Sequence, residues 1–136
     1  MKEAITTTAS PPPTGPYSQG LRTETLIFVA GQGPADPHTA RIAEGIEEQT
    51  HQVLRNVRAI LEAGGASMGD VLKVTVHLAD LAHFDAFNRV YSEYFSEPYP
   101  VRTTVGSQLM GILVEIDVIA QRPVRTAGEW ANERTT

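Results

Sequence analysis

The sequence predicts an α+β fold in which a single mixed β-sheet carries two helices on one face. Three observations predict it. Two segments, Ile46–Leu61 and Leu81–Phe95, place apolar residues at helical spacing. Other short segments read as strands, either alternating or continuously apolar, with Gly and Pro between them. The chain is also only 136 residues long, so two helices cover one sheet face and no chain remains for the other. The bare face therefore calls for another subunit, by dimerisation or trimerisation.

Element by element, Ala4–Thr8 reads as an edge strand, stopped by Pro11, Pro12 and Pro13, which lack an amide donor. Thr14–Gly20 is a loop with glycine near each end, and Leu21–Thr23 a short strand. Leu26–Ala30 is a continuous apolar run, a strand buried on both faces. Residues 33–45, punctuated by Gly33, Pro34, Pro37 and Gly45, form a loop. The first helix buries Ile46, Thr50, Val53, Leu54, Val57, Ile60 and Leu61, turns Gln49, Gln52, Arg55, Asn56 and Arg58 outward, and ends at Gly64-Gly65. In Val71–Leu78, Leu72, Val74, Val76 and Leu78 alternate with Lys73, Thr75 and His77, the pattern of a half-buried strand. Asp80 caps a second helix over Leu81–Phe95, whose stripe includes Phe84, Phe87, Val90 and Tyr91. Arg102–Ser107 and Leu113–Gln121 are the last strands, joined by a turn at Leu109–Gly111. From Pro123 the chain is polar and frays or lies on the surface.

Composition narrows the function. With no cysteine, disulfides, thiolate metal sites and a cysteine nucleophile are excluded. A net charge of -5 argues against a non-specific grip on nucleic acid. No apolar run approaches the roughly 18 residues of a membrane helix. Met1–Ser10 has no hydrophobic stretch and does not read as a secretory signal. The expectation is a cytoplasmic protein with one domain over residues 1–136. The histidines at 38, 51, 77 and 83 lack ligand spacing, so no metal is expected. Gly31-Gln32-Gly33 opens a Pro-containing loop rather than a helix, which argues against a phosphate cradle.

Three polar residues stand where apolar ones are the default. Asn88 lies on the stripe of the second helix, either as a core-edge amide satisfied by backbone or as a ligand-binding group. Glu115 and Asp117 alternate with Val114, Ile116 and Val118, on a solvated face, an interface or a site. If the last two strands form a hairpin about Leu109–Gly111, Arg102 and Thr104 share a face with Glu115 and Asp117. Arg102 and Glu115 are then neighbours, as a salt bridge or as a catalytic pair.

The segments Gly15–Gly20, Val29–Gln32, Gln49 through Asn56-Val57, Gly69–Val76, Phe87–Tyr91, Tyr94-Phe95, Pro100–Arg102 and Val114–Ile116 sharpen the reading. In order and spacing they resemble the RidA/YjgF family of reactive-intermediate deaminases, over about residues 4–121, leaving 122–136 as a polar tail. The resemblance implies a chorismate-mutase-like fold and a homotrimer whose sheets form a central barrel, with clefts between subunits. It implies cofactor-free hydrolysis of enamine/imine acids such as 2-aminoacrylate and 2-aminocrotonate to 2-oxo acids and ammonia. It assigns Arg102 to the substrate carboxylate and Glu115 to the attacking water. Tyr17, Gly31, Asn88 and Thr104 are expected to line the cleft. Many relatives carry Ser or Thr where Ala30 stands, Cys where Thr104 stands and Pro where Met110 stands, and the segment joining the last two strands is shorter here. Within the family, the alternatives are a pathway-specific enamine such as 2-aminomuconate, or a non-catalytic ligand-binding or RNA-acting relative.

Overall fold

In the computed structural model, which describes residues 1–123, six strands and two helices follow in the expected order. They are β1 (Glu3–Ile5), β2 (Gly20–Arg22), β3 (Leu26–Gln32), α1 (Ile46–Ala63), β4 (Val71–Leu78), α2 (Phe84–Tyr91), β5 (Val101–Gly106) and β6 (Val114–Gln121). The expected polar tail from 124 onward lies outside the described residues. No helix among them is long and apolar enough to cross a membrane.

The sheet order is β1-β2-β3-β6-β4-β5, and it corrects the expected hairpin. Strand β5 does not pair with β6; it lies parallel to β4 at the sheet edge. The reason is the connection. From β4 the chain runs through α2, and a helical crossover of that length returns the next strand parallel to the first. Beyond β5 the chain passes over the C-terminal end of β4. There Ser107 N–H donates to Leu78 O (2.9 Å) and Ala79 N–H to Leu113 O (3.0 Å). Strand β6 then enters on the far side of β4, antiparallel to both β4 and β3.

Both helices pack on one face, as expected. Val53, Leu54, Val57, Ile60, Leu61 and Phe87 meet Ile27, Val29, Val74, Val76, Leu78, Val114 and Ile116 in one core. Gln49 and Asn56 depart from the outward face assigned to them: both are buried. Gln49 Nε2 donates to Ala43 O, and its Oε1 accepts from Leu113 N–H. Asn56 Nδ2 donates to Gly33 O and Ala35 O, while its Oδ1 accepts from Gln52. A buried amide is stable when its donors and acceptors are partnered, and these two tie α1 to the loops around it.

Helix α2 is shorter than its apolar stripe. Asp80 caps a single 3-10 turn, Leu81–His83, by accepting from Ala82 N–H, and the α-helix spans only Phe84–Tyr91. Leu72 is exposed rather than buried, because the β4–β6 register shifts between Val71 and Lys73 and turns it outward. On the opposite sheet face Phe28 and Val105 each stand 39 % exposed, so β3 is buried on its helix face only and not on both faces as its continuous apolar run suggests.

Candidate active site

Strand β3 carries one extra residue against β6. Val29 faces Val118, yet Gln32 faces Ile116, so a bulge falls at Ala30-Gly31. Beside it on β6, Glu115 stands between Val114 and Ile116, which are buried on the helix side; its side chain therefore projects to the bare face. The carboxylate comes to rest against Gly31. A Cβ added there would collide with Glu115 Oε1 and stand 3.1 Å from its Cδ. Glycine is what lets backbone and carboxylate approach this closely.

This corner forms one end of a cleft of about 430 Å³. Pro11–Pro13, Tyr17, Leu109, Met110 and Ile112 also line it. Among the described residues, Glu115 is the only ionisable acid or base lining it besides Tyr17. Buried Gln19 fixes the N-terminal wall: its amide donates to Thr7 O, Ser10 O and Pro11 O and accepts from Thr7 N–H. Gln32 accepts from Ser10 Oγ and donates to Ala30 O, joining that wall to the bulge. Tyr17 is half exposed, and its hydroxyl accepts from Thr14 N–H at 3.1 Å. Hydrogen bonds from Thr14 hold the phenol below its ordinary pKa, with burial and the Glu115 charge opposing.

Of the six expected site residues, the structure brings Tyr17, Gly31 and Glu115 together. Arg102 is elsewhere. It sits opposite Val74 on β4, and Val74 sits opposite Val118, so Arg102 points to the helix face and Glu115 to the other. The expected face-sharing of Arg102 and Thr104 with Glu115 and Asp117 is thus corrected; Thr104 faces Val76 on the helix side. The Arg102 Cζ lies 5.7 Å, 5.5 Å and 4.7 Å from the ring centroids of Phe84, Phe87 and Tyr91. Asn88 shares their helix stripe, being four residues from Phe84 and three from Tyr91. Burial pushes the Tyr91 phenol up, and the Arg102 charge opposes it. Among the described residues no carboxylate comes within 4.0 Å of Arg102.

Across the bare face, His77 faces Glu115 and bonds Ser107 Oγ through Nδ1 at 2.7 Å. Its Nε2 is 4.0 Å from Asp117, whose carboxyl is raised by burial against the lowering charges of His77 and Lys73. Among the described residues, no three His, Asp or Glu side chains are grouped to hold a metal.

Sequence reasoning missed the triple-proline wall and the clamping by Gln19 and Gln32. A signal existed: three prolines beside a Gln-bearing loop mark a rigid segment needing side-chain anchors.

Comparison with known proteins places this geometry. The family model described as Endoribonuclease L-PSP matches residues 7–122. A RutC family protein of Pyrococcus horikoshii is 48% identical over 125 residues, 90% of this chain and 99% of that one. Reactive Intermediate Deaminase A, chloroplastic, of Arabidopsis thaliana is 40% identical over 88% of this chain and 65% of its own length. The crystal structure of Escherichia coli TdcF with bound serine superposes with a TM-score of 0.85 at 36% identity, covering 89% of this chain and 99% of that one.

Proposed function

The chain belongs to the RidA/YjgF family, and from that premise we propose that it hydrolyses short 2-imino and enamine acids to 2-oxo acids and ammonia. The observation that carries the reading is the Glu115 carboxylate held against Gly31 in a cleft to which the described residues bring no cation. A protonated imine needs little activation, since its carbon is already electrophilic. Water adds to that carbon as Glu115 accepts its proton. Glu115 then returns this proton to the carbinolamine nitrogen, and the C–N bond breaks as the hydroxyl gives up its own proton, releasing the 2-oxo acid and ammonia and leaving Glu115 ionised again. Positioning supplies much of the acceleration. No cofactor enters the scheme.

The substrate carboxylate needs a cationic partner, and none of the described residues lining the cleft supplies one. Arg102 offers a planar fork with no ion pair among the described residues, but on the other sheet face. We assign the complete site to two copies of the chain, Tyr17, Gly31 and Glu115 from one and Arg102, Asn88 and Thr104 from the next, within a cytoplasmic homotrimer. An RNA-cleaving role, suggested by the family's description, gains nothing from a chain of net charge -5 with no cation among the described residues lining the cleft. The test is a coupled assay in which a threonine dehydratase releases 2-iminobutanoate and 2-oxobutanoate formation is followed. Acceleration that requires Arg102 supports the reading. Its absence removes the short imines and leaves a larger, pathway-specific enamine such as 2-aminomuconate, or pure ligand binding.

A further inference from the structure

We propose that Phe84 is a positioning residue for Arg102: with Phe87 and Tyr91 it forms an aromatic cradle that sets the guanidinium plane and tightens carboxylate binding. This rests on the carboxylate-binding role given to Arg102 above.

Strand β5 is a sheet edge, paired only with β4, so its own neighbours restrain Arg102 from one side. A free arginine side chain holds considerable rotamer entropy, and ordering it on binding weakens affinity. Here three rings do the ordering beforehand. Phe87 is fully buried and Tyr91 nearly so, and they pack with centroids 5.5 Å apart. They make a floor fixed by the core. Phe84 is different: it is 40 % exposed at the first position of α2, where the core does not require an aromatic ring. Yet its centroid is 5.7 Å from Arg102 Cζ, within cation–π range. A guanidinium resting on ring faces keeps its N–H donors in its own plane, available for a bidentate carboxylate. Among the described residues no internal carboxylate takes them.

The experiment measures the Kd of 2-oxobutanoate, and of the uncharged 2-oxobutanamide, on the wild type, Phe84→Leu and Phe84→Tyr. Leucine keeps apolar bulk without a π face; tyrosine keeps the face. Phe84→Met is a second ring-free variant should leucine lower the unfolding midpoint. The expected result is about two- to fivefold weaker 2-oxobutanoate binding in the ring-free variants, the size of an exposed cation–π contact. Phe84→Tyr restores it, and 2-oxobutanamide binding does not change. In turnover the same loss enters KM and spares kcat. Unaltered binding in the ring-free variants, or failure of tyrosine to restore it, overturns the cradle while wild-type binding stands. If 2-oxobutanoate binds the wild type and Arg102→Ala equally, the carboxylate role itself falls, and the cradle with it.

Discussion

Gly31 and Glu115 occupy one another's space: the carboxylate fills the volume that a side chain at 31 would need. The bulge in β3 and the absence of a Cβ are thus two parts of one device that presents the carboxylate to the cleft. Gly31→Ala is expected to displace Glu115 and lower turnover of 2-iminobutanoate by about 100-fold, the scale of a 1 Å misplacement. Far-ultraviolet dichroism should be unchanged. A rate near that of the wild type would show that the carboxylate's position is not critical.

Arg102→Ala should abolish activity on small 2-imino acids and leave the fold and the elution volume unchanged, since the guanidinium makes no ion pair within the described chain. Arg102→Lys should recover little, because an ammonium cannot form the bidentate fork. Steady-state kinetics with size-exclusion chromatography checks both. Full activity in Arg102→Ala removes Arg102 from the site, and full activity in Arg102→Lys removes the bidentate fork as the reason for arginine there.

Asn56 is buried and donates to two backbone carbonyls, Gly33 O and Ala35 O, in the loop that follows the bulge. Asn56→Ala leaves both acceptors unpaired and should destabilise the protein by about 1–3 kcal/mol in urea unfolding. Activity should fall as well, since Gly33 and Ala35 line the cleft.

Asp117 has its carboxyl raised by burial, against the opposing charges of His77 and Lys73. A carboxyl with a higher pKa folded than unfolded binds its proton more tightly in the native state. Stability therefore falls as pH rises through the window between the two values. Asp117→Asn should gain nothing below the ordinary aspartate value of 3.8 and stabilise modestly at neutral pH, the side chain being 41% exposed. Unfolding midpoints across the pH range decide it; a gain confined to acid pH would contradict the assignment.

Much of this protein was determined by local sequence. The stripe from Ile46 to Leu61, the cap at Asp80 and the alternation in Val114–Ala120 each specify an element, because period and capping act within a few residues. Tyr17, Gly31 and Glu115 were also legible, through short motifs in order, and they meet in one cleft. What only the tertiary structure decided is which strands are neighbours. The apolar pattern of β5 and β6 fits a hairpin as well as separation by β4, and periodicity alone cannot choose. The choice is made by the parallel return through α2, which spends the β5 side of β4 and sends β6 to the other. That non-local pairing puts Arg102 and Glu115 on opposite faces of one sheet, and burial of Gln49 and Asn56 depends on partners distant in sequence, the Leu113 amide for Gln49 and the Gly33 and Ala35 carbonyls for Asn56.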